Sequence, residues 1–212
     1  MTADVRQTYL EAARSALELL GSPHVAERWS EPSVLPGMSV GSLAAHLARS
    51  VLQVEWFLNA PPATGPLVTA VSYYARLRDT AVPDSPLNSG VRRRSEETAA
   101  GGSAEVAHQT LQAFERLSLR LPREPSTRCV TILHHDEAML LDEYLATRCV
   151  ELTVHLEDLA FSLGVSSSAP EEAQSVTVEL LFAAARRRHG DTEVLRALAR
   201  RERDDQGALR VL

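Results

Sequence analysis

The chain has 212 residues, enough to bury a core without disulfide or metal staples. Hydrophobic residues at 44% and charged residues at 24% give an ordinary globular composition, which excludes disorder and collagen-like structure. The formal net charge of −6 leaves no overall basic footprint, so a nucleic-acid partner is not expected.

The opening Met1–Arg6 lacks the basic patch and apolar segment of a signal peptide. No apolar run approaches the roughly 18 residues of a membrane span. The expected location is therefore the cytoplasm, with no membrane partner. Asp4 to Leu20 carries Tyr9, Ala12, Ala13, Ala16, Leu17, Leu19 and Leu20 at helical spacing and stops at Gly21. Residues 21–37, with prolines at 23, 32 and 36, read as a loop. Ser39 suits the N-cap of a helix to about Leu58, whose stripe is Val40, Leu43, Leu47, Val51, Val54 and Leu58. Pro61, Pro62 and Pro66 end it. A shorter helix with Tyr73 and Tyr74 is predicted within 67–80, and 82–102 reads as a loop with at most one helical turn. The run Arg92-Arg93-Arg94 within it is taken as solvated. Ser103 opens a helix to about Leu121, and Arg128–Leu133 is strand-like. His134-His135-Asp136-Glu137 reads as a turn whose adjacent side chains point apart, suiting a pocket rim better than a shared metal ligand set. A long helix follows from near Leu141 to Leu163, stopped by Gly164. Pro170-Glu171-Glu172 starts another, ended by Arg186-Arg187-Arg188-His189-Gly190, and Asp191 caps a short last helix to about Arg201.

The fold class is all-α: a helical bundle with a minor β hairpin or strand and short extra C-terminal helices. Residues 1–165 form the bundle, and residues 166–212 are expected as an extension packed on the same domain. All 22 basic residues are arginine, which excludes Schiff-base and P-loop chemistry, since both need lysine. The two cysteines, Cys129 and Cys149, suit a reducing compartment and read as small apolar fillers. His24, His108 and His189 fall in loops or on exposed helix positions.

The informative helix is Leu141–Leu163. Apolar residues cover most of its circumference, but Tyr144, Thr147, Arg148, Glu151, His155, Asp158 and Ser162 form one polar stripe at steps of three and four. Glu151 and His155 are one turn apart, about 6 Å along the axis, a workable spacing for two ligands of one metal. Such a stripe is equally what a solvent-facing surface looks like. His46 lies among Ala44, Ala45, Leu47 and Ala48 on the second long helix, where a lone histidine is commonly a structural residue. Together the three residues would make a two-histidine, one-carboxylate set around an open position, the arrangement of catalytic zinc.

Two segments carry a resemblance. Trp29-Ser-Glu-Pro-Ser-Val-Leu-Pro-Gly-Met-Ser-Val-Gly-Ser-Leu-Ala-Ala-His46-Leu resembles the W-x-x-P-S-x-L-P-G-W-T-V-x-D-L-x-A-H-L signature of the mycothiol-dependent maleylpyruvate isomerase family. Leu141-Asp-Glu-Tyr-Leu-Ala-Thr-Arg-Cys-Val-Glu151-Leu-Thr-Val-His155-Leu-Glu-Asp158-Leu-Ala resembles its E-L-V-V-H-x-x-D-L-A helix. Met38 replaces the family's second tryptophan and Ser42 its helix-opening aspartate. The resemblance implies a DinB/YfiT-like four-helix bundle with a divalent metal, zinc before nickel, manganese or iron, on His46, Glu151 and His155. It also implies mycothiol as co-substrate and, with the all-arginine composition, an actinobacterial source. The isomerase proper carries a further C-terminal domain that the residues after Val165 are too few to form, so maleylpyruvate isomerisation itself is not carried over. What carries over is thiol activation: a transferase or isomerase acting on a small electrophile. Arg49 and Arg148, one turn from His46 and Glu151, are candidates for a carboxylate on thiol or substrate, or for surface pairs. Asp158 is a candidate orienter of the His155 ring, or a surface acid. The alternative function is a non-catalytic metal-binding or metal-free bundle with a binding or sensing role. A homodimer through an exposed helix face is a further expectation.

Overall fold

Side-chain caps fix where four of the helices begin. The computed structural model describes residues 4–61, 63–77, 82, 84–132, 137–200, 202 and 208–212. Helix α1 (Val5–Leu20) starts under the Asp4 carboxylate, which accepts from the Arg6 N–H at 3.0 Å. A short α2 (Pro23–Glu27) interrupts the segment read as loop, started by proline at its first position. Helix α3 (Val40–Asn59) begins at Ser39, whose Oγ accepts from the Ser42 N–H at 3.0 Å. After strand β1 (Leu67–Val68), a Thr69–Ser72 capping box starts α4 (Ala70–Arg76). Helix α5 (Pro86–Ala99) occupies most of the stretch expected to be loop. Ser85 capping and Pro86 at the first position drive it, and its weak apolar pattern hid it, since Ser95 is its one fully buried residue. Helix α6 (Ser103–Arg120), strand β2 (Cys129–Ile132) and strand β3 (Glu137–Leu140) follow. Then come α7 (Leu141–Leu163), α8 (Glu171–His189) and α9 (Asp191–Ala199).

Glu137, expected in a turn, instead opens β3, which pairs antiparallel with β2 in the register Cys129↔Leu140 to Ile132↔Glu137. The run Glu-Ala-Met-Leu carries no strand preference of its own, and its partner imposes the conformation. Strand β1 pairs parallel to β3, giving the order β1-β3-β2. His134, His135 and Asp136 lie outside the described residues.

Helices α1, α3, α6 and α7 form a four-helix bundle, and the small sheet closes one end of it. Leu43 and Leu47 on α3 and Leu145, Leu152 and Leu156 on α7 are fully buried. Each contributes about 1.5–3 kcal/mol by burial. His46 lies beside Glu151, Gln53 beside Arg148 and the Phe57 ring beside Tyr144, so α3 and α7 run antiparallel. Helix α8 packs on α7 and α4, with Val150, Leu180, Ala184 and Val194 in a second apolar cluster. Gly164 ends α7 in the left-handed conformation, φ 66°. Among the described residues no helix is long and apolar enough to cross a membrane.

The segment before α3 is what seats His46. The Gly41 N–H donates to the Trp29 carbonyl at 2.8 Å, and the Val40 N–H to that of Glu31 at 2.8 Å. The Trp29 ring lies directly on Gly41, where an added Cβ would meet it at 2.6–2.8 Å. Trp29 and Gly41 therefore form one unit. We expect Gly41→Ala to cost about 1–3 kcal/mol, the usual penalty of overpacking. Urea denaturation checks this; an unchanged midpoint would remove Trp29 as the clamp on α3.

Candidate metal centre

The polar stripe of α7 faces inward. Tyr144, Thr147, Arg148, Glu151, His155 and Asp158 all line a cavity of about 680 Å³, joined by His46 and Arg49 from α3. The reading of the stripe as a solvent face is thereby corrected: α3 and α4 pack against α7, and α5 lines the cavity with it, leaving Tyr144 and Thr147 almost wholly buried. Ser162 alone turns aside, its Oγ accepting from the Val34 N–H at 2.9 Å.

His46 Nε2 and His155 Nε2 each lie 3.5 Å from Oε2 of Glu151. The two rings meet edge to face with centroids 4.6 Å apart, and one ligand atom from each of the three residues lies within 4.8 Å of the others. A tetrahedral divalent cation bonded at about 2.0–2.1 Å holds its donors roughly 3.4 Å apart, so this donor set fits one. The surroundings aim the donors. Asp158 Oδ2 lies 2.9 Å from His155 Nδ1, which leaves Nε2 to face Glu151. The Tyr74 hydroxyl, fully buried, lies 3.2 Å from Oε1 of Glu151 and 3.2 Å from the Thr147 carbonyl, so it occupies the carboxylate oxygen that faces away from the histidines.

Electrostatics set the charge of each group. Burial, reinforced by the neighbouring His155, holds the His46 pKa below its usual value, in the neutral form a ligand needs. Burial alone would raise the Glu151 carboxyl, but hydrogen bonds from His155 and His46 and the charge of Arg148 hold it well below the usual range. Burial also opposes charge on His155, yet Asp158 and Glu151 overcome it and push its pKa up to about 9. At neutral pH the metal-free triad is thus a neutral His46, an ionised Glu151 and an imidazolium at His155.

Among the described residues Arg148 is in no ion pair. Its Nη1 reaches Gln53 Oε1 at 3.4 Å, and its guanidinium lies over the Tyr144 ring at 4.9 Å. Arg49 donates to Thr98 Oγ1 at 3.2 Å and lies over the Trp56 ring at 5.4 Å. Cys149 is fully buried, and burial pushes its thiol up to about 12, so it supplies no nucleophile. Cys129 is half-buried on β2, and His24 and His108 are exposed on α2 and α6. Sequence reasoning missed Tyr74, Tyr73 and Gln53 as parts of the site, and it missed Val91, Arg92 and Arg94 of α5, which line the same cavity. The one available signal was a pair of tyrosines in an otherwise small, polar helix.

The family model of the mycothiol maleylpyruvate isomerase N-terminal domain matches residues 10–160, well over half of the chain and inclusive of all three triad residues. No curated protein and no solved structure matches the chain.

Because protons and metal compete for His155, zinc uptake at pH 7 should expel about one proton. Calorimetry in buffers of different ionisation enthalpy measures this. The apparent affinity should rise about tenfold per pH unit from about 7 and level off above about 9. An affinity flat across that window would contradict the assigned charge of His155. Asp158→Asn should weaken zinc binding by about 10- to 100-fold with the fold retained.

Proposed function

This chain belongs to the mycothiol maleylpyruvate isomerase N-terminal domain family, and from that premise we propose that it is a metal- and thiol-dependent transferase or isomerase acting on a small electrophile. The observation that carries this reading is the convergence of His46, Glu151 and His155 on the wall of a cavity large enough for a ligand. A purely structural metal site would be closed by four protein donors, whereas three donors beside open space leave a position for an incoming sulfur. Zinc is the proposed metal; nickel, manganese and iron share the ligand preference. Mycothiol is the proposed thiol.

When bound, a divalent cation would lower the pKa of a ligating thiol and so supply thiolate at neutral pH. The chain's own residues do the rest. His46, Glu151 and His155 would hold the cation on the cavity wall, while Asp158 and Tyr74 fix the faces that two of them present. Met38, Phe57, Ile132 and Met139 give the cavity an apolar wall. Arg49 and Arg148 supply positive charge one turn from the triad. In the reaction the thiol gives its S–H proton to solvent and its sulfur lone pair forms an S–C bond with the electrophile. The displaced electron pair leaves with a leaving group, or rests on an adjacent carbon that then takes a proton. In an isomerisation that carbon stays unprotonated, and after rotation about the former double bond its electron pair re-forms the double bond as the S–C pair returns to sulfur. A reducing cytoplasm is the proposed location, which suits a free thiol and two unpaired cysteines.

Metal content by mass spectrometry, on protein purified without a histidine tag or chelator, tests the premise. We expect about one equivalent in the wild type and none in His155→Ala. Thiol transfer from mycothiol to a panel of electrophiles should then require the metal. His46→Ala should abolish both metal and transfer while the melting temperature moves little, because the leucine core carries the bundle. A large fall in melting temperature would mark the metal as structural, and protein still empty after incubation with zinc, nickel and manganese would end the metalloenzyme reading.

A further inference from the structure

The surface arginines of this protein are mostly paired: Arg76 with Glu137, Arg116 with Glu55, Arg120 with Glu124 and Arg186 with Asp191. Those of the cavity are different. Arg92 pairs with Asp84 at its rim, at 3.2 Å. Arg49, Arg94 and Arg148 line the same cavity from three helices, and among the described residues no carboxylate is ion-paired with any of them. Neutral oxygens take one N–H of Arg49 and two of Arg148, out of five donors on each guanidinium. The Trp56 and Tyr144 rings cover one face of Arg49 and of Arg148, which leaves their edges for other partners. Arg94 folds back over Gly90, with its Nη1 3.2 Å from where a Cβ would stand, so the missing side chain gives it room on α5.

Glu97 acts by charge on Arg49 and Glu151 on Arg148, but neither carboxylate is within ion-pair distance, so the guanidinium edges remain available to a further anion. Burial and then the charge of Arg94 depress the Arg49 pKa, while Glu97 acts in the opposite sense. Arg49 and Arg148 lie on the same side of the triad, because α3 and α7 are antiparallel. A ligand reaching from that side would meet the guanidinium edges about one helical turn from the histidines, roughly 5 Å along the axis.

We propose that Arg49, Arg94 and Arg148 form an oxyanion subsite that holds a carboxylate or phosphate group of the ligand, with its apolar body against Phe57, Ile132 and Met139. Planar guanidinium forks suit both groups. The subsite deepens the proposed function, on which it rests for the identity of the whole ligand, but it binds its anion without metal or thiol.

The test is calorimetric titration of metal-free protein at low ionic strength with succinate, inorganic phosphate and dimethyl succinate. Succinate or phosphate should bind and the diester should not. Succinate alone would identify a carboxylate ligand, and phosphate alone a phosphorylated one. Arg49→Gln and Arg94→Gln should each weaken binding about tenfold or more. Neither should lower the melting temperature appreciably, since each relieves repulsion; the half-exposed Arg94 serves where a change at Arg49 disturbs α3. Both variants should keep the metal content of the wild type. Wild-type protein that binds neither anion, or binding undiminished in both variants, overturns the subsite whatever the metal content. Anion binding by a protein that takes up no metal would leave the subsite standing and end the metalloenzyme reading instead.

Discussion

A carboxylate inside a helical bundle needs a hydrogen bond or a positive charge for each of its oxygens, and Glu151 imposes that demand on everything around it. Its partners come from three separate elements: His46 from α3, Tyr74 from α4, and His155 with Arg148 from α7 itself. Satisfying it fixes the register of α3 against α7 and the seat of α4 at once. The seat of α4 is held from behind as well. The Arg188 guanidinium of α8 donates to the carbonyls of Tyr74 at 2.6 Å and Leu77 at 2.8 Å, closing the C-terminal end of α4. At the other end, the Ala70 N–H donates to Glu143 of α7 at 2.8 Å. A helix of seven residues, too short to persist alone, thus delivers one hydroxyl to the oxygen that turns away from the histidines.

What the sequence made legible and what it hid differ for physical reasons. The four bundle helices declare themselves because each carries its own apolar stripe and its own terminal signals, such as Ser39 before α3 and Gly164 after α7. His46, Glu151 and His155 could be singled out because polar residues interrupt faces that are otherwise apolar. That the three converge depends on packing two helices separated by about eighty residues, and spacing along one helix is silent on that. Tyr74 was equally hidden, since nothing local distinguishes a hydroxyl that meets a carboxylate from one that meets water. Helix α5 leaves little trace in the sequence because it covers a cavity rather than a core and so carries no buried apolar stripe. Strand β3 was missed because its conformation comes from pairing with β2 and β1.

The protein therefore has two kinds of wall around one cavity. One, built from α3 and α7, is continuous with the leucine core, so its side chains are held by the same packing that holds the fold. The other is α5, which touches α3 and α6 and contributes Leu87, Asn88, Val91, Arg92 and Arg94 to the lining. The triad and Asp158 stand on the first wall, Tyr74 meets them from α4, and Arg94 lines the cavity from the second.

That division bears on how such a protein changes over generations. Substitutions at the triad or its neighbours on α3 and α7 disturb the packing of the core and the arrangement of the triad together. On α5 only Ser95 is fully buried, and its remaining residues can be exchanged at small cost to stability. The outline of the cavity can change there while the triad stays fixed. The thirteen other residues of α5 are thus the part of the lining that the core constrains least.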